Sequence, residues 1–157
     1  MKIAFWSIGK PHEPYVKQGI EDFSKRISHY FGLDWEIVPS PKNAGKIGAD
    51  ELKKMEADSI LARLQKDDFL IVLDERGQQL TSEALAVQIQ SCANAAIKKI
   101  VFLIGGAFGV HKTVLTRSNM QWCLSKLVFP HQLVRLILAE QVYRACTILK
   151  NEKYHHQ

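Results

Sequence analysis

Residues 100–109, IVFLIGGAFG, join an unbroken apolar run to a turn that is rich in glycine. A short continuous apolar run is typical of a strand that is buried on both faces, as in a parallel sheet. The three glycines that follow permit positive φ and let a ligand approach the main chain closely. This pattern predicts a buried strand with a candidate binding loop at its carboxyl end, where α/β sheets bind ligands. A tight turn that binds nothing is the alternative.

Similar strands alternate with amphipathic helices on both sides of this stretch. Alternating or continuous apolar runs predict strands at residues 3–8, 33–37, 69–73 and 122–129, with a turn at 74–77. Apolar residues spaced three and four apart predict helices at 16–30, 50–66, 82–92, 112–117 and 132–150. Gly32 is expected to end the first helix, and Thr81 or Ser82 to cap the third. The alternation predicts one α/β domain over residues 1–157, with a parallel sheet sandwiched between helices.

The helix predicted at residues 50–66 resumes the helical spacing of apolar residues. Its apolar residues are expected to face the core and its charged residues to face solvent. The inward set is Leu52, Met55, Ile60 and Leu64.

Composition limits the functional classes. Hydrophobic residues make up 46% and charged residues 24% of the chain, which is typical of a soluble globular domain, and no apolar run is long enough to span a bilayer. Three widely spaced cysteines, Cys92, Cys123 and Cys146, predict free thiols and a cytoplasmic protein. The histidines form no metal-ligand pattern, so no metal is expected. The net charge of +5 favours an anionic partner such as a nucleic acid.

Two loops are candidates for chemistry. Residues 105–109 match neither the GxGxxG dinucleotide fingerprint nor the GxxxxGK phosphate loop, which argues against a nicotinamide-dependent oxidoreductase and a nucleotide triphosphatase. A side chain at Gly105 is expected to fill the space that a ligand needs. The second loop, residues 124–132, ends a predicted strand and opens the last helix.

The last helix is apolar nearly all round, which predicts packing on the sheet and also against a second subunit. A fully buried central helix is the alternative. Arg135 near the helix start opposes the helix dipole and therefore requires an anionic partner. Glu140 and Arg144, four residues apart, are expected to form an ion pair.

Five segments together carry a resemblance to a known family. They are the first strand with Gly9-Lys10, FLIGG at 102–106 with Gly109, FPHQ at 129–132 with Arg135, EQVYRA at 140–145, and Tyr154-His155. In this order and spacing they closely resemble the large-subunit ribosomal RNA methyltransferase H family, the smallest branch of the SPOUT methyltransferases. The resemblance covers essentially the whole chain and is weakest at residues 39–66.

The resemblance implies a C-terminal trefoil knot, which is rare among protein folds, and a homodimer. It also implies a bent S-adenosylmethionine as cofactor and the N3 of a pseudouridine in the large-subunit (23S) ribosomal RNA of the assembled ribosome as substrate. The cofactor positions carried over are Leu73, Gly105, Leu124, Ser125, Lys126, Leu127, Val128 and Phe129.

Methylation of N3 requires removal of its proton or a positive group that stabilises the anion. The candidates are His155 as provisional base, Tyr154, Arg135 and Arg144, although His155 could also be an unengaged tail residue. The last helix spans about 27 Å, so the tail should lie far from its own cofactor loop and could reach that of a partner. Candidate phosphate contacts, which could equally be solvated surface, are Lys10, Lys17, Lys25 and Arg26.

The alternative function is a non-catalytic RNA-binding or ribosome-assembly module with the same fold. A degraded cofactor loop would indicate such a protein. Gly105-Gly106, the loop at 124–129 and the tail are intact, which favours the enzyme.

Overall fold

The computed structural model describes residues 1–156. Strands and helices alternate along the chain. In order they are β1 (Lys2–Ile8), α1 (Pro14–Ile27), β2 (Gly32–Val38), a 3-10 turn (Ala44–Lys46), α2 (Ala49–Arg63), β3 (Phe69–Gln79), α3 (Ser82–Asn94), β4 (Lys99–Ile104), α4 (Lys112–Arg117), β5 (Met120–Cys123) and α5 (His131–Leu149).

The five strands form one sheet in the order β2-β1-β4-β3-β5, and every neighbouring pair is parallel. Helices cover both faces. On one face Phe5 and Phe102 pack in a core that includes Leu138 of α5 and Leu85 of α3. On the other face the core includes residues of α2 and α4. The predicted α/β architecture, a parallel sheet between helices, is confirmed.

The N-cap of α3 and the free thiols of the cysteines agree with the predictions from the sequence. Thr81 caps α3, because its Oγ1 accepts a hydrogen bond from the backbone N–H of Ala84 at 3.1 Å. The three cysteines are buried and free. No helix of residues 1–156 combines the length and the apolar character that crossing a membrane requires.

The end of the first helix differs from the prediction. The helix stops at Ile27, four residues are needed to turn the chain, and Gly32 is the first residue of β2, paired with Lys2. The apolar spacing continues to Tyr30 because Tyr30 and Phe31 also pack on the core from the turn. Gly32 is therefore not a helix cap.

The two strands at the far edge of the sheet also differ. The predicted turn at 74–77 is wrong, because β3 continues to Gln79 through a bulge between Leu73 and Gln78, both of which pair with Trp122 of β5. Gly77 allows β3 to approach β5 closely, because a Cβ at this position would lie 2.5 Å from the carbonyl carbon of Gln121. Conversely β5 ends at Cys123, and residues 124–130 form a loop instead of the predicted strand.

In α2 the burial of one charged and one apolar residue is the reverse of the prediction. Met55 is exposed, whereas Glu56 is 5% exposed and lies among the buried residues Leu52, Ala57 and Ile60. The expectation that the charges of this helix all face solvent is therefore wrong for Glu56.

The last helix packs between α1 and α3 within the same chain. Leu138, Ala139, Val142 and Cys146 are completely or almost completely buried there. The chain's own helices thus cover most of the apolar circumference of α5. This agrees with the alternative prediction of a buried central helix. One stripe stays half-buried and comprises Leu133, Ile137, Glu140, Gln141, Arg144 and Ile148.

Candidate active site

A cleft of about 580 Å³ lies at the carboxyl ends of β3, β4 and β5, and we call it the strand-end cleft. This is the position at which open α/β sheets bind ligands, and the volume is in the range of small-molecule sites. The cleft brings together most of the cofactor positions that the resemblance implied. Those that line it are Leu73, Gly105, Leu124, Ser125, Leu127, Val128 and Phe129. Lys126 is exposed and does not line it.

Apolar and charged side chains both line the cleft. Ile104, Trp122 and Val134 contribute apolar surface. Arg76 donates hydrogen bonds to Asp74 at 2.9 and 3.0 Å, which hold the pKa of that carboxyl below its usual range. Sequence reasoning missed this acidic group because residues 74–77 were read as a turn. Their position directly after a buried strand was the signal that could have identified them.

The glycine-rich loop is a tight turn closed by a hydrogen bond from the Gly109 N–H to the Gly106 carbonyl oxygen at 3.1 Å. Gly109 has φ +82°, a conformation that favours glycine. A Cβ at Gly105 would lie 2.5 Å from Cγ2 of Val110, so the direction of a side chain there is occupied by protein. The expectation that such a side chain would fill ligand space is corrected: Gly105 is required first by packing inside its own loop.

The second loop is ordered by local hydrogen bonds. The Oγ of Ser125 accepts a hydrogen bond from the backbone N–H of Leu127 at 3.0 Å, and the Cys123 thiol donates to the Ser125 carbonyl oxygen at 3.1 Å. Leu127 and Val128 nevertheless remain 72% and 93% exposed. Apolar side chains that are this exposed beside a cleft indicate a surface that a ligand or partner covers.

Three of the four candidate catalytic residues lie together at the end of α5, and we call them the tail group: Arg144, Tyr154 and His155. Arg144 forms the predicted ion pair with Glu140, and its guanidinium lies 4.8 Å from the centre of the Tyr154 ring. The Tyr154 hydroxyl donates to Glu140 at 3.1 Å. Burial and the Glu140 carboxylate raise the pKa of Tyr154.

His155 contacts another segment of the chain and is not an unengaged, solvated tail residue. Its Nε2 contacts the Glu83 carboxylate at 2.5 Å, and its buried Nδ1 makes no hydrogen bond within residues 1–156. Hydrogen bonds from its own backbone N–H, from the Thr81 hydroxyl and from His155 lower the pKa of Glu83 to about 2. A carboxylate therefore faces His155 at neutral pH.

The fourth candidate, Arg135, lies near the opposite end of α5 and is 1% exposed. Its Nε donates to Ser7 Oγ at 2.8 Å, and its Nη1 donates to the Lys10 carbonyl oxygen at 2.9 Å. No carboxylate of residues 1–156 forms an ion pair with Arg135. The anionic partner that the sequence predicted is therefore not found among the described residues.

One chain thus does not bring the four candidates together. Arg135 and the tail group are separated along α5, and none of the four lines the strand-end cleft. A histidine that sequence reasoning passed over, His131, does line it. Burial and then the Arg135 charge lower the pKa of His131. Its place in the FPHQ segment, as the first residue of α5, was the available signal.

The candidate phosphate contacts lie at both ends of α1. Lys10 and Lys17 are exposed near its start, whereas Lys25 and Arg26 are exposed in its last turn. Arg26 already pairs with Asp22 at 3.0 Å. No three metal-binding side chains of residues 1–156 cluster in a way that could hold a metal ion.

A family model described as "Predicted SPOUT methyltransferase" matches residues 1–155. This chain belongs to the SPOUT methyltransferases.

Full-length relatives of this SPOUT chain carry one name. A protein of Cytophaga hutchinsonii is 46% identical over 156 residues, which cover 99% of this chain and 100% of that protein. Proteins of Christiangramia forsetii and Parabacteroides distasonis are 40% and 37% identical over 157 residues, with both chains covered completely. All three are named "Ribosomal RNA large subunit methyltransferase H".

The fold of the SPOUT chain is also similar to a solved structure. A probable methylase family protein from Haemophilus influenzae Rd KW20 superposes with a TM-score of 0.53 at 13% sequence identity. The match covers 99% of this chain and 70% of the other. At this identity the likeness supports the fold alone.

Proposed function

We propose that this protein transfers the methyl group of S-adenosylmethionine to the N3 of a pseudouridine in large-subunit ribosomal RNA of the assembled ribosome. The observation that carries the proposal is the strand-end cleft, which the two candidate loops of a SPOUT chain form between them. The names of the full-length relatives support large-subunit ribosomal RNA as the substrate.

The residues of the cleft fit an adenosyl cofactor. Leu73, Trp122 and Phe129 offer apolar surface to an aromatic base. Backbone groups of the loops at 105–109 and 124–129 are available for its polar edges, and the ionised Asp74, which pairs with Arg76, also lines the cleft. When bound, S-adenosylmethionine supplies an electrophilic methyl group on a sulfonium.

In this proposal the protein orients the nucleophile and accepts a proton. The cofactor held in the cleft would supply the methyl group, and the N3 proton would pass to a base on the protein. His155 is the proposed base, and Arg144 and Tyr154 are proposed to stabilise the negative charge that develops on the edge of the nucleobase. Holding the two reactants in line contributes most of the acceleration, because no covalent bond to the protein is needed.

The proposed site is composite and belongs to a homodimer. The tail group packs against the C-terminal half of α5, where Tyr154 contacts Glu140 and Arg144, so it lies only about 14–20 Å along the helix from the loop that opens it. This distance is shorter than the predicted full length of the helix. Two copies with their last helices crossed antiparallel would bring the tail group of one to the cleft of the other. The half-buried stripe of α5 and the exposed Phe108, Leu127 and Val128 at the cleft support this arrangement. The trefoil knot that the resemblance implies and the cytoplasmic location that the cysteines predict are part of the same proposal.

The activity is tested with ribosomes that lack the modification. Purified protein is incubated with labelled S-adenosylmethionine and large subunits or whole ribosomes from a strain without the relevant methyltransferase, and the RNA is digested to nucleosides. We expect label in N3-methylpseudouridine from whole ribosomes. Label in another nucleoside would contradict the site of methylation, and absence of label would contradict the activity.

Calorimetric titration separates the enzyme from the alternatives. The proposal expects saturable binding of S-adenosylmethionine and none of NAD. Ribosome binding without S-adenosylmethionine binding would instead identify a non-catalytic RNA-binding module.

A further inference from the structure

Arg135 carries a buried charge that this chain does not neutralise. Buried charges in proteins are normally paired with an opposite charge, because removing an ion from water is costly. The hydrogen-bond partners of Arg135 are the Ser7 hydroxyl, the Lys10 carbonyl oxygen and His12 Nδ1 at 3.3 Å, all of them uncharged acceptors. Its Nη2 makes no hydrogen bond within residues 1–156. Two guanidinium N–H donors are thus available to a further acceptor.

The free nitrogen faces the loop that follows β1. A Cβ at Gly9 would lie 3.9 Å from Nη2, and Gly9 has φ +122°, which only glycine adopts readily. His12 is held neutral, because burial and the nearby Arg135 charge lower its pKa. Since Nη1 can only donate, His12 Nδ1 accepts and its proton lies on Nε2.

The exposed charges around this loop are of both signs. Lys10 and Lys17 lie beside it, and Lys17 pairs with Glu21 at 3.9 Å. The acidic groups that face the site are Glu13 and Glu21, both exposed on the solvent side. Neither carboxylate lies within ion-pair distance of Arg135, so the buried guanidinium remains available.

The loop borders the strand-end cleft. In the sheet Ser7 of β1 pairs with Ile104 of β4, so the loop at Gly9 and the loop at Gly105 leave the sheet side by side. His131 and Val134, on the same first turns of α5 as Arg135, line the cleft itself. An anion at Arg135 would therefore lie next to a ligand in the cleft.

We infer that Arg135, with the main chain at Gly9 and the side chains of Lys10 and His12, binds a phosphate group of the RNA substrate beside the strand-end cleft. A phosphate matches a guanidinium with two free N–H donors, and RNA supplies one next to every nucleotide. Arg135 is thus a positioning residue that sets the register of the RNA, in place of the catalytic role expected from the sequence. The inference rests on the proposed RNA substrate.

The first test uses inorganic phosphate and the unaltered protein, so it does not depend on methyl transfer. We expect titration followed by NMR to shift the backbone amides of Gly9 and Lys10 and the ring of His12 along one saturable curve. The Arg135→Lys variant keeps the charge but loses the paired N–H donors of the guanidinium. Half-saturation of these shifts should therefore need a much higher phosphate concentration. The inference would be overturned if the shifts did not saturate, or if the amide of Lys25 shifted as much as those of Gly9 and Lys10. This test uses the unaltered protein, so it holds even if Arg135→Lys fails to fold.

The second test measures ribosome binding as a function of salt. Neutralising one lysine that contacts phosphate should weaken binding and reduce the slope of log affinity against log salt by about 1. We expect this for Lys10→Gln. The matched control is Lys25→Gln, another exposed lysine, in the last turn of α1 and about 16 Å along the helix from its first residue. Equal effects of the two variants would show that the loop at Gly9 contributes only general surface charge.

The two proposals can fail separately. If phosphate binds at Gly9 and Lys10 but no methyl group is transferred, the anion site stands and the proposed enzyme does not. If methyl transfer occurs and Lys10→Gln binds ribosomes like Lys25→Gln, the enzyme stands and the anion site does not.

Discussion

Glu56 is the residue at which the helical pattern of α2 and the tertiary structure disagree. Its carboxylate is 5% exposed and lies against the glycine-rich loop: a Cβ at Gly106 would be 2.7 Å from Oε2 and 2.8 Å from Oε1. No hydrogen bond or ion pair to another residue of the described chain satisfies it. Burial therefore raises the pKa of Glu56 above the ordinary 4.5. A side chain at Gly106 would displace this carboxyl group, which is the flexible end of the Glu56 side chain.

This gives a pH-dependent prediction for stability. A carboxyl whose pKa is raised on folding stabilises the fold below its unfolded pKa, and this contribution is lost as the pH rises through the folded pKa. At pH 7 the charged form is buried at a cost, so Glu56→Gln should raise the Tm. The gain should shrink as the pH falls and vanish below about 4.5. Thermal unfolding followed by circular dichroism measures it.

Glu75→Gln is the matched control, because Glu75 is an exposed glutamate that lies outside the helices. It should leave the Tm nearly unchanged at every pH. A Glu56→Gln protein that is less stable than the unaltered one at pH 7 would show that the carboxylate has a favourable partner in solution.

At the scale of elements, the strand-end cleft depends on where β3, β4 and β5 end. Ile104 ends a strand whose length follows from its continuous apolar run, so its place at the edge was predictable. Leu73 was predicted to end its strand, but β3 continues six residues beyond it. The loop after β5 was not predictable, because Leu127, Val128 and Phe129 are as apolar as a strand. Their exposure beside the cleft is a tertiary result.

Filling the cleft from its exposed rim tests whether it holds the cofactor. Ala107 is exposed and lines the cleft, so Ala107→Trp should add bulk there with little cost to folding. We expect S-adenosylmethionine affinity to fall at least about 100-fold, since a blocked pocket loses most of the contacts that hold a ligand. This variant is a cleaner probe than Gly105→Val, whose side chain would collide with Val110.

Val87→Trp adds the same side chain at a position that is 64% exposed on α3 and does not line the cleft. Calorimetry should show its affinity to be unchanged. If Ala107→Trp binds S-adenosylmethionine as well as Val87→Trp does, the cofactor lies elsewhere.

At the scale of the whole molecule, the half-buried stripe of α5 is the surface proposed to meet a second copy. Ile137 belongs to this stripe, whereas the neighbouring Leu138 is 0% exposed inside its own chain. Ile137→Asp should bury an uncompensated carboxylate at the interface and cost about 3–5 kcal/mol of association. Light scattering should then find a folded monomer. Leu138→Asp would instead disrupt the core.

The same charge at exposed Val87 is the control and should leave the dimer intact. A monomer found for the unaltered protein, or a dimer for Ile137→Asp, would contradict this interface.

Mixing two inactive variants tests whether the site is shared between chains. Deleting residues 154–157 removes Tyr154, His155 and the final residues, of which residue 157 lies outside the described structure. Cofactor affinity should stay within a few fold, while methyl transfer should fall by roughly 10²- to 10⁴-fold, as for loss of a positioned acid or base. In a heterodimer with Ala107→Trp subunits, one site carries both lesions and the other neither.

Activity should therefore return when the two variants are mixed under conditions of subunit exchange. Because Tyr154 also contacts Glu140 in its own chain, His155→Ala serves as a milder variant if the deletion unfolds. Confirmed heterodimers that remain inactive would place the role of the tail within one chain.

The sequence by itself determined the elements that are set locally. The alternation of strands and helices, the parallel sheet, the Thr81 cap and the Glu140–Arg144 pair all follow from spacing over a few residues, and the structure has each of them. The resemblance over the whole chain determined the family and the loops that line the cleft.

The tertiary structure alone decided the features that depend on contacts between distant segments. Glu56 is buried because α2 lies under the glycine-rich loop 50 residues further along the chain. Arg135 reaches Ser7 and Lys10 across more than 120 residues, and the β3 bulge exists because Gly77 meets β5. Local periodicity records which face of an element is apolar, but it does not record which distant segment packs there. The charge that this packing leaves buried at Arg135 is what points to the proposed anion site.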